Sequence, residues 1–79
     1  MRKHGVVTRF GPKGFGFILE PQSRLEHYFH IVDVKQRISL RAGDYVTFEV
    51  GHAKPGAKAP VAILVELIET PDRLDAVRR

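Results

Sequence analysis

Hydrophobic and polar positions alternate through most of this chain, in short runs broken by glycine, proline and acidic turns. A period of two marks a strand with one buried face, because successive side chains leave a strand on opposite sides. Gly5-Val6-Val7-Thr8-Arg9-Phe10 is the first run, stopped by Gly11-Pro12. Simple alternation groups Val6, Thr8 and Phe10 on one face and Val7 and Arg9 on the other. First strands of small barrels are often bent by a bulge, which leaves the facing of Arg9 open. After the tight turn Gly11-Pro12-Lys13-Gly14, Phe15 to Glu20 forms the second strand and a hairpin with the first. Pro21 to Glu26 is polar and turn-like. The third strand, His27 to Val32, sets Tyr28 and His30 on one face and His27, Phe29 and Ile31 on the other.

From Asp33 to Asp44 no strand period holds, and Val34, Ile38 and Leu40 tuck a loop or short helical turn against the core. Ala42-Gly43-Asp44 turns into the fourth strand, Tyr45 to Val50, with Val46, Phe48 and Val50 facing in and Tyr45, Thr47 and Glu49 facing out. Gly51 to Pro60 is a loop of small residues carrying Lys54 and Lys58. The fifth strand, Val61 to Glu69, is apolar on both parities at first, which predicts burial on both sides. Thr70-Pro71-Asp72 is a helix-start signal for a short C-terminal helix or frayed tail. Seventy-nine residues hold one domain. The expected division is a barrel over residues 1–69 and a tail over 70–79. Five short strands with polar turns predict an all-β, five-stranded Greek-key barrel of the OB type, an architecture that binds oligonucleotides on its second and third strands.

The stretch Lys13-Gly14-Phe15-Gly16-Phe17-Ile18 gives that expectation chemistry. Phe15 and Phe17 stand side by side on one face, with a lysine at the entrance. The glycines are expected to leave the backbone bare for a flat ligand. If strand three pairs with strand two, Phe15, Phe17, Tyr28 and His30 form one aromatic face, since cross-strand neighbours lie ~4.5–5.5 Å apart at Cβ. Such a face suits stacked bases, each contributing roughly 1–3 kcal/mol. Charge points the same way. The formal net charge of +4 favours anionic partners, nucleic acid first. Lys54 and Lys58 could close over a nucleic-acid backbone. With no cysteine there is no disulfide framework or thiolate metal site. No apolar run is long enough to span a bilayer, and no h-region follows the basic start, so the expectation is a cytoplasmic protein.

These motifs resemble the bacterial cold-shock domain family. Gly5-Val6-Val7-x-x-Phe10 and Lys13-Gly14-Phe15-Gly16-Phe17-Ile18 are similar to its opening and first ribonucleoprotein motif. Tyr28-Phe29-His30 is similar to its second, and Leu40-x-x-Gly43-x-x-Val46-x-Phe48 and the lysine- and glycine-rich loop ending at Pro60 match further on. The resemblance covers about residues 5 to 68. It implies a closed barrel that binds single-stranded RNA or DNA with little sequence preference. Carried over residue by residue, it assigns stacking to Phe15, Phe17, Tyr28 and His30, a further platform aromatic to Phe10, and the motif's opening lysine to Lys13. Three positions depart from the family: Arg9 replaces a tryptophan, Ile31 an aromatic, and the loop before Leu40 is shortened, with Arg37 the nearest stand-in for its aromatic. His27 stands where the family has a core aliphatic and, if buried, needs a hydrogen-bond partner. The RNA recognition motif shares part of the KGFGFI string, but Glu20 fills its final aromatic position and twelve residues are too few for the elements that must precede it.

Other chemistry finds little support. His27 and His30, three apart on a strand, point to opposite faces and cannot share a metal ion there. Neither a Walker loop nor a nucleophile with an acid–base partner is present, so neither cofactor, metal nor enzymatic activity is expected. The reading is a monomeric, single-stranded RNA- or DNA-binding module acting as an RNA chaperone or antiterminator-like factor, without a membrane or small-molecule partner. Arg9, Lys13 and loop lysines such as Lys58 would hold phosphates. The alternative is a protein-interaction or ribosome-docking barrel that uses the same face.

Overall fold

The computed structural model describes residues 2–51 and 60–69. Five strands form a closed barrel: β1 (Lys3–Phe10), β2 (Phe15–Glu20), β3 (Leu25–His30), β4 (Tyr45–Gly51) and β5 (Val61–Glu69), in the order β1-β2-β3-β5-β4. All pairings are antiparallel except β3 with β5, which is parallel and holds one register pair, Tyr28 with Val61. This is the expected five-stranded architecture. The expected tail, its helix-start signal, and the lysines Lys54 and Lys58 lie outside the described residues.

The core follows from the alternating pattern. Val7, Ile18, Phe29, Val46 and Phe48 point inward from four strands, joined by Ala62 and Val65 of β5. Val34 and Leu40 seal the loop between β3 and β4, and Ile38 packs beside them. Full burial of each large aliphatic or aromatic side chain contributes ~1.5–3 kcal/mol, which is how a chain this short sustains a fold.

Two irregularities move side chains away from simple alternation. In β1, Val7 pairs with Ile18 and Arg9 pairs with Phe17, so two residues advance against one at Thr8. This bulge turns Arg9 outward, although Val7 of the same parity is buried. In β5, Glu66 pairs with Thr47 and Ile63 with Glu49, three steps against two. The extra residue sits around Leu64, which has φ 50° and is exposed, while Ala62 and Val65 on either side are buried. Burial of β5 on both sides is therefore corrected: a bulge lets two parities take turns inside. Arg2 holds the distortion, its Nη2 donating to the Leu64 carbonyl at 2.6 Å and to Thr47 Oγ1 at 2.9 Å.

Smaller differences arise at strand ends. The third strand starts at Leu25 and stops at His30, and Ile31–Asp33 form a 3-10 turn. His30 caps that turn, its Nδ1 accepting from Val32 N at 3.2 Å, while Ile31 N donates to Gly14 O at 2.7 Å. Val50, expected inside, is exposed at the rim where β4 leaves the barrel.

Candidate nucleic-acid interface

The outward faces of β1, β2 and β3 make one surface. Register sets Phe15 opposite His30 and Phe17 opposite Tyr28, so the four side chains proposed from sequence stand together. The Phe15 and Tyr28 rings are stacked with centroids 5.8 Å apart and planes 29° from parallel. Phe17 meets Tyr28 edge-on at 6.0 Å and 74°. Offset and edge-to-face contacts of this kind are favoured by the ring quadrupoles, so the rings hold one another in place. Phe15 is 37% exposed, so part of its ring meets solvent on this face.

Arg9 joins this face because of the β1 bulge. Its Cζ lies over the Phe17 ring, 4.7 Å from the centroid, a cation–π contact. Arg9, Phe10, Gly11, Phe15, Gly16 and Phe17 line a cleft of about 300 Å³ beside it. Phe10 is placed differently from the other aromatics. It pairs with the inward Gly16 and stacks on core Phe29 at 5.7 Å, so it is the back wall of the cleft. Lys13 is exposed in the turn between β1 and β2, where Gly14 N donates to Gly11 O at 3.1 Å. Arg37, also exposed, occupies a left-handed turn position with φ 53°.

The glycines of the motif have a packing and turn task besides the one expected. Gly16 is buried and faces inward opposite Phe29. A Cβ there would lie 2.2 Å from the Arg9 carbonyl oxygen and 3.0 Å from Phe10 Cα. The space that a side chain at position 16 would need is taken by β1. Gly14 has φ 90°, which the turn requires and glycine adopts at no steric cost.

Sequence reasoning passed over two features near this face. Glu26 shares the outward parity of Tyr28 and accepts from Thr8 Oγ1 at 3.0 Å, placing an acid at the end of the platform away from Lys13. Strand parity alone could have found it. Behind the face, His27 is 2% exposed and meets Glu20, itself buried, through Nε2 to Oε1 at 3.0 Å. Lys3 Nζ donates to the other Glu20 oxygen at 3.1 Å. The His27 bond first, then Lys3, hold the Glu20 carboxyl below its ordinary range, against the opposing effect of burial. This supplies the partner His27 needed, at Nε2 only: Nδ1 is buried with no hydrogen-bond partner, next to Phe48 with ring centroids 4.9 Å apart. His27 points inward and His30 outward, as their spacing required. Among the described residues no group of three His, Cys, Asp or Glu side chains gathers as a metal site would need.

Comparison with known proteins agrees with the barrel fold. No curated protein matches the sequence. Among solved structures 41 chains match. One is Drosophila Unr CSD456, with TM-score 0.68 and 21% identity, aligned over 87% of this chain and 27% of that one. This is a likeness of fold, and the chain spans about a quarter of the length of that structure. The family model of the 'Cold-shock' DNA-binding domain matches residues 3–68, which takes in every strand of the barrel but for the last residue of β5. The chain therefore belongs to the cold-shock domain family, a family of nucleic-acid-binding domains.

Proposed function

We propose that this domain binds unpaired RNA or DNA by stacking bases on Phe15, Phe17, Tyr28 and His30, and acts as an RNA chaperone or antiterminator-like factor. The observation that carries the reading is the register of β2 with β3, which gathers those side chains on one outward face with Arg9 over Phe17 and Lys13 at the entrance. A π-face accepts any base, and a duplex hides its bases, so stacking selects single strands. Binding only the unpaired form draws a hairpin open by mass action, by RT ln(1 + [L]/Kd). At a hundredfold excess over Kd this is about 2.7 kcal/mol, enough to melt a weak stem without ATP.

The test is fluorescence anisotropy of a labelled seven-nucleotide pyrimidine strand, with a duplex of equal length as control, at two salt concentrations. The single strand binds and the duplex does not, and affinity falls with salt at a log–log slope of about −0.7 per phosphate contact. Replacing Phe15 and Phe17 together by alanine removes two stacking rings, a loss of about 2–6 kcal/mol or at least about thirtyfold in Kd. Both rings point away from the core, so circular dichroism of the double variant stays that of the parent. A folded double variant with unchanged affinity removes this site assignment. Salt-independent capture of a polypeptide on the same face would favour the protein-docking alternative.

A further inference from the structure

We propose that the cleft between Arg9 and Phe15 is a guanine-selective base pocket, so that this domain discriminates among unpaired bases where a purely aromatic platform would not. The inference rests on the single-strand reading above and adds a specificity to it.

The cleft is mainly apolar, with one charged residue in its lining. Phe10, Phe15 and Phe17 line it with Gly11 and Gly16, and its volume of about 300 Å³ is at the small end of ligand-sized clefts. Arg9 is the one charged residue in the lining. The bulge at Thr8 turns it outward, and the cation–π contact at 4.7 Å seats its guanidinium against Phe17. Among the described residues the Arg9 side chain makes no hydrogen bond and no ion pair. The nearby acid of the face, Glu26, is engaged by Thr8 instead. A guanidinium held on a ring face, with its N–H donors unspent, is a fork waiting for two acceptors on one edge.

The four bases differ in what they offer such a fork. Guanine presents O6 and N7 side by side, the edge that arginine reads most often, on a bicyclic ring with the largest stacking area. Cytosine offers N3 and O2 when unpaired, on a single ring. Adenine sets an amino donor beside N7, and thymine and uracil interrupt their two carbonyls with an N–H, so each confronts the fork with a donor. The order of preference is guanine, then cytosine, then adenine and thymine.

Thymine heptamers carrying one central substitution test this by anisotropy titration. Guanine at the centre tightens binding at least about fivefold over thymine, the lower end for one bidentate contact. Inosine, which keeps O6 and N7, retains the gain. Replacing guanine by 7-deazaguanine, which lacks N7, loses it. Arg9→Lys keeps the charge without the fork, so the guanine-to-thymine ratio falls to within about twofold of unity. Equal affinity for all substituted heptamers overturns the pocket and leaves single-strand binding standing. A guanine preference that survives both Arg9→Lys and Arg9→Ala, in variants whose melting curves show them folded, also overturns it. No binding to any heptamer overturns the single-strand reading and the pocket with it.

Discussion

Substituting Gly16 by alanine adds a single methyl group, and the structure says where it must go. The new Cβ points between β1 and β2, 2.2 Å from the Arg9 carbonyl oxygen, 3.0 Å from Phe10 Cα and 3.1 Å from Phe10 Cδ1. Two of these three atoms are backbone, so no rotamer change relieves the contact. β1 has to retreat by roughly 1 Å to restore an ordinary van der Waals separation. The retreat pulls on the last pairs of the hairpin, Arg9 with Phe17 and Phe10 with Gly16, and on the Phe10–Phe29 stack. Overpacking of this kind costs ~1–3 kcal/mol. A weakened ladder hydrogen bond adds about 1 kcal/mol, and the stiffer unfolded chain gives back ~0.4–1 kcal/mol. The net is about 2 kcal/mol. A domain this size has roughly 4–12 kcal/mol in all, so Tm drops by about 8–16 °C. Thermal and urea denaturation followed by circular dichroism measure it. Gly11→Ala is the control, because its Cβ meets only Phe15 O at 3.8 Å, an ordinary contact, and its Tm stays close to the parent's. If Gly16→Ala melts with Gly11→Ala, the close approach of β1 is not what requires a glycine at position 16.

Other outcomes follow from the polar contacts. Because His27 and Lys3 hold the Glu20 carboxyl below its ordinary value, its contribution to stability is complete above the unfolded-state value and is lost as pH falls through the folded one. Urea midpoints measured from pH 6 down to pH 3 therefore decline, and Glu20→Gln flattens the decline; equal slopes would mean other carboxylates govern it. Arg2→Ala removes the donor to the Leu64 carbonyl and to Thr47, and costs about 1 kcal/mol in a denaturant titration, whereas Lys35→Ala, which removes only a solvent-exposed ion pair with Glu66, changes the midpoint little.

The barrel was legible in the sequence because its signal is local. Val46 and Phe48, or Phe15 and Phe17, declare their facing two residues at a time, and turn residues separate the runs. What escaped was non-local. Leu64 takes up a left-handed conformation that no sequence rule assigns to leucine, and its carbonyl is satisfied by Arg2, 62 residues away. A bulge in the first strand was foreseen as leaving the facing of Arg9 open, but its place at Thr8 and the outward turn it gives Arg9 were not. At Gly16 the close approach of β1 was missed, because a glycine announces that something comes close and only the fold says what. The Glu20–His27 pair could have been found: both residues share the inward parity of their strands, and only their polarity argued against the core.

The parallel seam between β3 and β5 carries a mechanical consequence. Elsewhere the staves of the barrel are laced by several register pairs, but here a single pair, Tyr28 with Val61, is reinforced by Tyr28 N donating to Pro60 O at 2.8 Å and Lys35 N donating to Val65 O at 2.7 Å. Spontaneous breathing of the barrel starts where lacing is sparsest. The residue at that joint is also a ring of the outward face, so a breath at the seam tilts the stacking surface itself. A base stacked on Tyr28, as proposed above, would resist that tilt and keep the cylinder shut. On that proposal cargo and container steady each other at the joint with the fewest register pairs.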